Sequence, residues 1–296
     1  MEKKNCLIAG LPESGKSTYL GALWYITQNG NGKIDLALGT TNMDLPENTS
    51  LLDSLSQKWQ RVEDMDRTSN DASEDISFLM CPKGSERLFS LEVPDFRGES
   101  IRQILTMNQP SKFNEWCSKA GYLLFFISNY QPGSFADDFN DDDEEENLNE
   151  NSIDSPVIPT LEAKDMTPAA QNMLILRYLK ENYRFDKIVV CLTAWDKILS
   201  DDNTAIPEKY LMEKSPALYN FISYHFGKIK YFGLSAQGEE YKYDNVVEEN
   251  GKTVKKVTEE CKMRLQKKTR DFERAFVCEG NKKSFDITLP IAELFK

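Results

Sequence analysis

The sequence contains few of the residues that build metal centres and disulfide frameworks. Its 296 residues include one histidine, His225, and six scattered cysteines without a Cys-x-x-Cys pair. This scarcity argues against a zinc site, a disulfide-stapled fold and a catalytic mechanism that relies on histidine. Free cysteines are typical of a reducing compartment, and we therefore expect the protein to be cytoplasmic.

Long apolar runs are also missing. The longest run, at residues 122–127, has the length of a strand, whereas a membrane-spanning helix needs ~18 apolar residues. No apolar block of signal-peptide length and no lipidation motif is present, so we expect no membrane anchor. The composition of 40 % hydrophobic and 28 % charged residues is nevertheless typical of a folded protein with a core.

Negative charge is concentrated in one segment. The formal net charge is −12, but residues 137–154 hold ten acidic residues and no lysine or arginine. The rest of the chain has 38 acidic and 36 basic residues, which leaves a net charge of −2. We predict that residues 131–165 form an acidic disordered insertion. The balance elsewhere gives no indication of nucleic-acid binding.

Short apolar runs alternate with segments of helical spacing along most of the chain. This alternation, with one early hairpin, predicts an α/β fold whose mostly parallel sheet has helices on both faces. Ligands of such sheets bind beyond the carboxyl ends of the strands. The predicted strands lie at residues 5–9, 76–80, 88–93, 123–127, 187–192 and 228–234. The clearest predicted helices lie at residues 16–28, 51–59, 173–183 and 211–226.

Residues 238–284 do not follow this alternation, and we interpret them as an insertion before a C-terminal helix at residues 287–295. They include a hairpin turn sequence at residues 249–251. Residues 252–274 hold nine basic residues against four acidic ones, which suits either a partner-contacting helix or a solvated helix face. The apolar face of this helix is predicted to consist of Val254, Val257, Cys261 and Leu265.

A phosphate-binding motif follows the first predicted strand. Residues 10–17 match the pattern G-x-x-x-x-G-K-[ST] at every defined position, and a predicted helix follows. Glycines let backbone N–H groups surround phosphate oxygens, Lys16 is placed to reach the terminal phosphates, and Ser17 is placed to bind Mg²⁺. The motif indicates a nucleotide without choosing its base. The predicted nucleotide contacts are Gly10, Glu13, Ser14, Gly15, Lys16, Ser17 and Thr18.

A second loop begins where the strand at residues 88–93 ends. Asp95 is followed three residues later by Gly98. A carboxylate in this position can hold Mg²⁺ through water, and the Gly98 N–H can approach a terminal phosphate closely. The Asp-x-x-Gly pattern alone would suit a plain turn, but its place after the phosphate loop favours a metal-side loop.

Two further loops suit the recognition of guanine. Asp196 follows Thr193 at the end of a buried strand, next to Lys197. Its carboxylate can accept hydrogen bonds from guanine N1–H and the 2-amino group, whereas adenine has no donor at N1. The alternative is an aspartate that caps a helix. After the last strand, Ser235 and Ala236 form a loop whose backbone N–H can donate to guanine O6.

In this order, the four loops resemble those of the Ras-like branch of the P-loop GTPases. Residues 16–20, 193–196 and 286–288 are more narrowly similar to bacterial double-GTPase proteins, which are often linked with antiviral or conflict systems. The resemblance implies one GTPase-like domain over residues 1–296, with a three-layer P-loop NTPase fold and a mixed six-stranded sheet. It also implies Mg²⁺-GTP binding and marks residues 238–284 as a family-specific insertion.

The sequence departs from the family pattern at two positions. Ala194 stands where the family usually has a lysine beside the base, and Trp195 follows it. Glu99 stands after Gly98, where Ras-like members often have a glutamine that orients water. A carboxylate there adds negative charge near the γ-phosphate, so we predict slow hydrolysis.

The resemblance also requires a threonine in a first switch loop. Thr68, which lies eight residues before the strand at Ile76, is the preferred candidate to bind Mg²⁺. Arg67 is either an arginine finger for the same reaction or a solvated loop residue. The other candidate threonines are Thr40, Thr41 and Thr49.

These observations favour a GTPase that acts as a molecular switch with a protein effector or an activating partner. Its predicted catalytic residues are Lys16, Thr68, Gly98, Glu99 and Arg67. The second interpretation is a nucleotide-bound scaffold that does not hydrolyse GTP. It is suggested by Glu99, which replaces the glutamine that orients water in Ras-like members. A P-loop kinase is a third, but an arginine-rich lid is not evident.

Overall fold

The computed structural model describes residues 5–30, 34–39, 49–65, 76–93, 111–128, 166–247 and 253–296. The strands are β1 (Asn5–Gly10), β2 (Leu36–Leu38), β3 (Ile76–Pro82), β4 (Phe89–Val93), β5 (Ala120–Ser128), β6 (Lys187–Thr193), β7 (Lys230–Ser235), β8 (Tyr243–Val247), β9 (Thr253–Val257), β10 (Phe276–Glu279) and β11 (Lys282–Ser284). The helices in the same residues are α1 (Lys16–Asn29), α2 (Thr49–Arg61), α3 (Ser111–Lys119), α4 (Pro168–Asn182), α5 (Trp195–Asp201), α6 (Pro207–Lys214), α7 (Pro216–Phe226), α8 (Glu259–Arg270) and α9 (Leu289–Leu294).

The main sheet confirms the predicted α/β class. Its order is β11-β10-β7-β6-β5-β1-β4-β3-β2, and the five strands from β7 to β4 run parallel. The predicted number of six strands is wrong for this sheet, because β2, β10 and β11 extend it to nine within the described residues. Strands β2 and β11 have only three residues each, which is too short for a period-two pattern to be read.

The sheet is buried on both faces. In β5, Leu124 and Phe126 face a core shared with α1, α2 and α9, while Leu123 and Phe125 face α4, α6 and α7. Side chains alternate between the two faces of a strand, so a strand covered on both sides is apolar throughout. Helices therefore cover both faces, as the sequence predicted.

Register places the loops of interest at one edge of the sheet. Gly10, the last residue of β1, lies opposite Phe126 of β5. Ser128 at the end of β5 lies opposite Thr193 at the end of β6, and Thr193 lies opposite Leu234 of β7. Because these strands are parallel, the loops that follow them emerge side by side.

Two predicted helices need correction. The single helix predicted at residues 211–226 is two helices, α6 and α7, which are interrupted at Ser215. Pro216 disfavours the helical conformation for the residue before it, which explains the break.

The helix predicted from Val254 onward also begins later. Val254 and Val257 belong to strand β9, and α8 begins after Thr258, whose hydroxyl accepts from the N–H of Cys261 at 3.3 Å. Strand β9 pairs with β8 in a separate antiparallel hairpin. The predicted turn at residues 249–251 and the insertion at residues 131–165 lie outside the described residues.

Within the described part of the chain, no helix combines the length and the apolar character that crossing a membrane requires.

Gly233 in β7 offers a test of the packing beneath the loop edge. A Cβ added there would lie 2.3 Å from the Trp195 ring, so we expect Gly233→Ala to lower the free energy of unfolding by about 1–3 kcal/mol. In a Trp195→Ala background the same change should be less destabilising, because the ring is gone. Chemical denaturation of the four proteins measures both effects, and equal losses in the two backgrounds would contradict this packing.

Candidate nucleotide-binding site

The phosphate loop joins β1 to α1 through a backbone that depends on glycine. A Cβ on Gly10 would lie 2.4 Å from the carbonyl oxygen of Phe126, so a side chain is excluded there. Glu13 and Gly15 both have positive φ angles, 62° and 83°, which curl the loop back toward the helix. Gly15 is the N-cap of α1 and offers no side-chain capping bond, which leaves the first N–H groups of the helix suited to an anion.

Lys16 lies across the loop that it follows. Its ammonium donates to the carbonyl oxygens of Gly10 at 3.0 Å and Leu11 at 2.7 Å, and to Ser14 Oγ at 3.2 Å. The positive charge is thus held among the backbone turns of the phosphate loop. Ser17 is half-buried in the first turn of α1.

An open cleft of about 240 Å³ lies at this edge of the sheet. Its lining comes from the phosphate loop, the first turn of α1, the end of β5 and the loops after β6 and β7. Residues separated by about 180 positions in the sequence therefore share one cavity. The lining residues are Glu13, Gly15, Thr18, Ser128, Thr193, Ala194, Asp196, Lys197, Leu234, Ala236 and Gln237.

Four of these lining residues were not among the predicted contacts: Ser128, Ala194, Leu234 and Gln237. Ser128 ends β5, and its place at the end of a predicted strand was a usable indication. Leu234 and Gln237 flank the predicted pair Ser235 and Ala236, so only their contact with the cleft was unforeseen.

Asp196 lies in the first turn of α5 rather than at its cap. The N-cap is Ala194, which has left-handed backbone angles, so the alternative of a helix-capping aspartate is wrong. The Asp196 carboxylate accepts a hydrogen bond from Ser235 Oγ at 2.6 Å. Loss of solvent raises the pKa of Asp196 above its ordinary value, and the Ser235 hydrogen bond opposes that rise.

Trp195, the first residue of α5, is a packing residue of the core. Its side chain is fully buried, and its ring makes an edge contact with Tyr210 at 5.6 Å between centroids. Gly233 lies directly against that ring. Trp195 thus supports α5 from beneath, while the small side chain of Ala194 borders the cleft. Lys197 also borders the cleft and forms an ion pair with Glu240 at 3.0 Å.

Ser235 and Ala236 have different roles after β7. Ala236 borders the cleft, whereas Ser235 is fully buried behind Asp196. The Ser235 hydroxyl accepts from the N–H of Gly238 at 2.9 Å and donates to Asp196. Ser235 therefore holds the carboxylate in place from behind.

Several predicted residues lie outside the described part of the chain. They include all predicted catalytic residues except Lys16, and the metal ligands other than Ser17. Among the described residues, no group of three or more His, Cys, Asp or Glu side chains is arranged to hold a metal ion. Thr49, one of the alternative threonines, is the first residue of α2. The residues outside the description are Thr40, Thr41, Arg67, Thr68, Asp95, Gly98 and Glu99.

Similarity to solved structures is weak. The chain is 13% identical to the S. cerevisiae Ski7 GTPase-like domain bound to GTP, covering 80% of this chain and 43% of that one, with a TM-score of 0.41. For sup35 complexed with GDP the identity is 12%, the coverages are 81% and 38%, and the TM-score is 0.35. For the signal recognition particle receptor SRb-GTP/SRX complex from Chaetomium thermophilum the identity is 14%, the match covers 81% of this chain and 94% of that one, and the TM-score is 0.38.

The chain thus spans less than half the length of the sup35 and Ski7 chains. No curated protein shows significant similarity to the sequence. Because the TM-scores are all below 0.5, the assignment depends on a family model. The model of the family Double-GTPase 1 matches residues 7–294, which confirms the resemblance seen in the loops. This protein therefore belongs to the Double-GTPase 1 family of GTP-binding proteins.

Proposed function

We propose that the protein binds GTP and GDP with Mg²⁺ in this cleft, hydrolyses GTP slowly and acts as a nucleotide-dependent switch. One observation carries the proposal. Gly15 and Thr18 of the phosphate-loop region and Asp196 border the same cleft, so one nucleotide can contact both ends. The family assignment gives independent support for a GTPase.

The phosphate end of the nucleotide is assigned to the loop before α1. Its curled backbone and the N-terminus of α1 suit an anion, because N–H groups and the helix dipole both favour negative charge. Lys16 adds a full positive charge beside them. In our proposal, Lys16 neutralises the terminal phosphates during hydrolysis.

Hydroxyl and carboxylate oxygens are the donors that we assign to Mg²⁺. Ser17 Oγ, in the first turn of α1, is one proposed ligand of Mg²⁺. Thr68 and Asp95, which lie outside the described residues, are the other two. Such oxygen donors match the preference of Mg²⁺. Held by these residues, Mg²⁺ would supply positive charge beside the phosphate oxygens.

The base end is assigned to Asp196. A fixed carboxylate accepts the two donors of guanine, and adenine presents a lone pair instead of a proton at N1. Hydrogen bonds to a charged group are worth about 1.5–3 kcal/mol each, which is enough to select guanine strongly. Ser235 keeps the carboxylate oriented, and the N–H groups near Ala236 are our candidates for contact with guanine O6.

The residues that we assign to the γ-phosphate are taken from the family's motif positions. We assign the Gly98 N–H to the γ-phosphate and Glu99 to the attacking water, and the added negative charge of Glu99 makes hydrolysis slow. Arg67 is retained as a candidate arginine finger. Loss of the γ-phosphate then releases the switch loops and changes the affinity for an effector, with a role in antiviral or conflict defence as the proposed setting.

Glu99 also favours a second candidate, a nucleotide-bound scaffold that does not hydrolyse GTP. Single-turnover hydrolysis of GTP by the purified protein separates the two functions. Slow release of phosphate supports the switch, and its absence with and without candidate partner proteins supports the scaffold. Identification of the nucleotide that copurifies with the protein tests the guanine assignment.

Substitution of Asp196 tests the base assignment directly. In Asp196→Ala, the preference for GDP over ADP should fall at least about ten-fold, because the acceptor for both guanine donors is lost. Dissociation constants for the two nucleotides provide the measurement. Asp201→Ala at the exposed end of α5 is the matched control and should keep the preference. Equal affinities of the unmodified protein for GDP and ADP would remove the guanine assignment.

The raised pKa of Asp196 predicts a pH dependence. The ionised carboxylate is the form that accepts guanine donors, so guanine preference is present above this pKa and disappears as the pH falls through it. The loss should begin at a higher pH than an exposed aspartate would give, because burial raises the pKa. Ser235→Ala removes a hydrogen bond that lowers the pKa, so it should move the loss to still higher pH.

The ratio of GDP to ADP affinity, measured as a function of pH in both proteins, checks this expectation. A Ser235→Ala protein whose preference disappears at the same pH as in the unmodified protein would contradict the role of the hydroxyl.

A further inference from the structure

A buried arginine lies behind the loop that follows β7. Arg274 is only 1 % exposed, and its three guanidinium nitrogens donate to four oxygen atoms. Nε donates to the carbonyl oxygen of Gln237 at 3.0 Å, and Nη2 donates to the Tyr241 hydroxyl at 2.6 Å. Nη1 donates to the carbonyl oxygen of Trp59 and to Thr269 Oγ1. A guanidinium stays charged in such a site, so these are charge-assisted hydrogen bonds.

Trp59 of α2 completes this arrangement. The Arg274 guanidinium carbon lies 4.3 Å from the centre of the Trp59 ring, which is the geometry of a cation–π contact. The indole Nε1–H donates to the carbonyl oxygen of Ala236 at 2.8 Å. Two consecutive carbonyl groups of the loop, Ala236 and Gln237, are therefore held by two buried side chains from distant parts of the chain.

A continuous series of hydrogen bonds connects Arg274 with Asp196. The peptide unit between Gln237 and Gly238 is bonded at both ends: its carbonyl accepts from Arg274, and its N–H donates to Ser235 Oγ at 2.9 Å. Ser235 in turn donates to Asp196 at 2.6 Å. A trans peptide unit is rigid, so the direction of its carbonyl determines the direction of its N–H.

The loop is shaped to allow this contact. Gly238 has a φ angle of +96°, and a Cβ there would lie 2.5 Å from the carbonyl oxygen of Arg274. Only glycine lets the loop come this close to the backbone that carries the arginine. Hydrogen bonds in a series polarise one another, so loss of the first donor weakens the bond at Asp196 as well as the local one.

We infer that Arg274 and Trp59 are positioning residues that set the guanine preference of the cleft by fixing the loop behind Asp196. The inference rests on the proposed function, because it assigns Asp196 to the base. It differs from a purely structural role in one respect. A structural role would change the affinity for every nucleotide equally, whereas a positioning role changes the ratio of guanine to adenine affinity.

The test uses the full chain with Mg²⁺ and measures dissociation constants for GDP and ADP. Arg274→Met keeps an unbranched apolar stem but removes every donor, and the GDP preference should fall about ten-fold. Trp59→Phe keeps an aromatic ring beneath Arg274 and removes the indole N–H that donates to Ala236, so a smaller fall of about three-fold is expected. Arg270→Met, an exposed arginine at the end of α8, is the matched control and should leave the ratio unchanged.

A double-mutant cycle identifies the route. If Arg274 acts through Asp196, then Arg274→Met should change the ratio little in an Asp196→Ala background, since the end point of the series is gone. Additive losses in the double variant would overturn the proposed route. Thermal unfolding of each variant confirms that it is folded, and if Arg274→Met does not fold, Trp59→Phe decides.

The two proposals fail in different ways. If the unmodified protein prefers guanine and folded Arg274→Met and Trp59→Phe keep that preference in full, the positioning role is overturned while the proposed function stands. If the unmodified protein shows no preference for GDP over ADP, the base assignment fails and the positioning role fails with it.

Discussion

The hydrogen-bonded register of the parallel strands is the constraint on which the site depends. Strands β1, β5, β6 and β7 lie side by side, and their last residues come to one edge of the sheet. A shift of one strand by a single residue would exchange its two buried faces, so the close fit of the side chains packed on each face holds the register. The packing of the two apolar cores thus determines the spacing between the phosphate loop and Asp196.

The fold could be predicted from the sequence where the pattern is local. Alternating apolar runs and helical spacing indicated the parallel strands, and the motif at residues 10–17 indicated the phosphate loop. The break at Ser215 is also a local feature, because Pro216 follows it. The prediction of one helix over residues 211–226 overlooked this proline. The additional strands could not be predicted in the same way, since a three-residue strand such as β2 acquires its structure from pairing with β3.

The candidate site was predictable to the extent that its residues follow strands directly. Asp196 and Ala236 are such residues, and both border the cleft. Arg274 and Trp59 had no comparable indication, because their role comes from contacts across 37 to 215 positions that no local pattern contains. Trp59 has the spacing of a packing residue on a helix, and it is one; its indole N–H is what gives it a second role.

The short edge strand β11 has a consequence for association with other chains. An open sheet edge exposes unpaired N–H and C=O groups that can pair with a strand from another molecule. Among the described strands the sheet ends at β11, which has three residues, and two of them are the exposed lysines Lys282 and Lys283. A second copy that paired with this edge would bring lysine ammonium groups close together. Their repulsion disfavours edge-to-edge aggregation along β11.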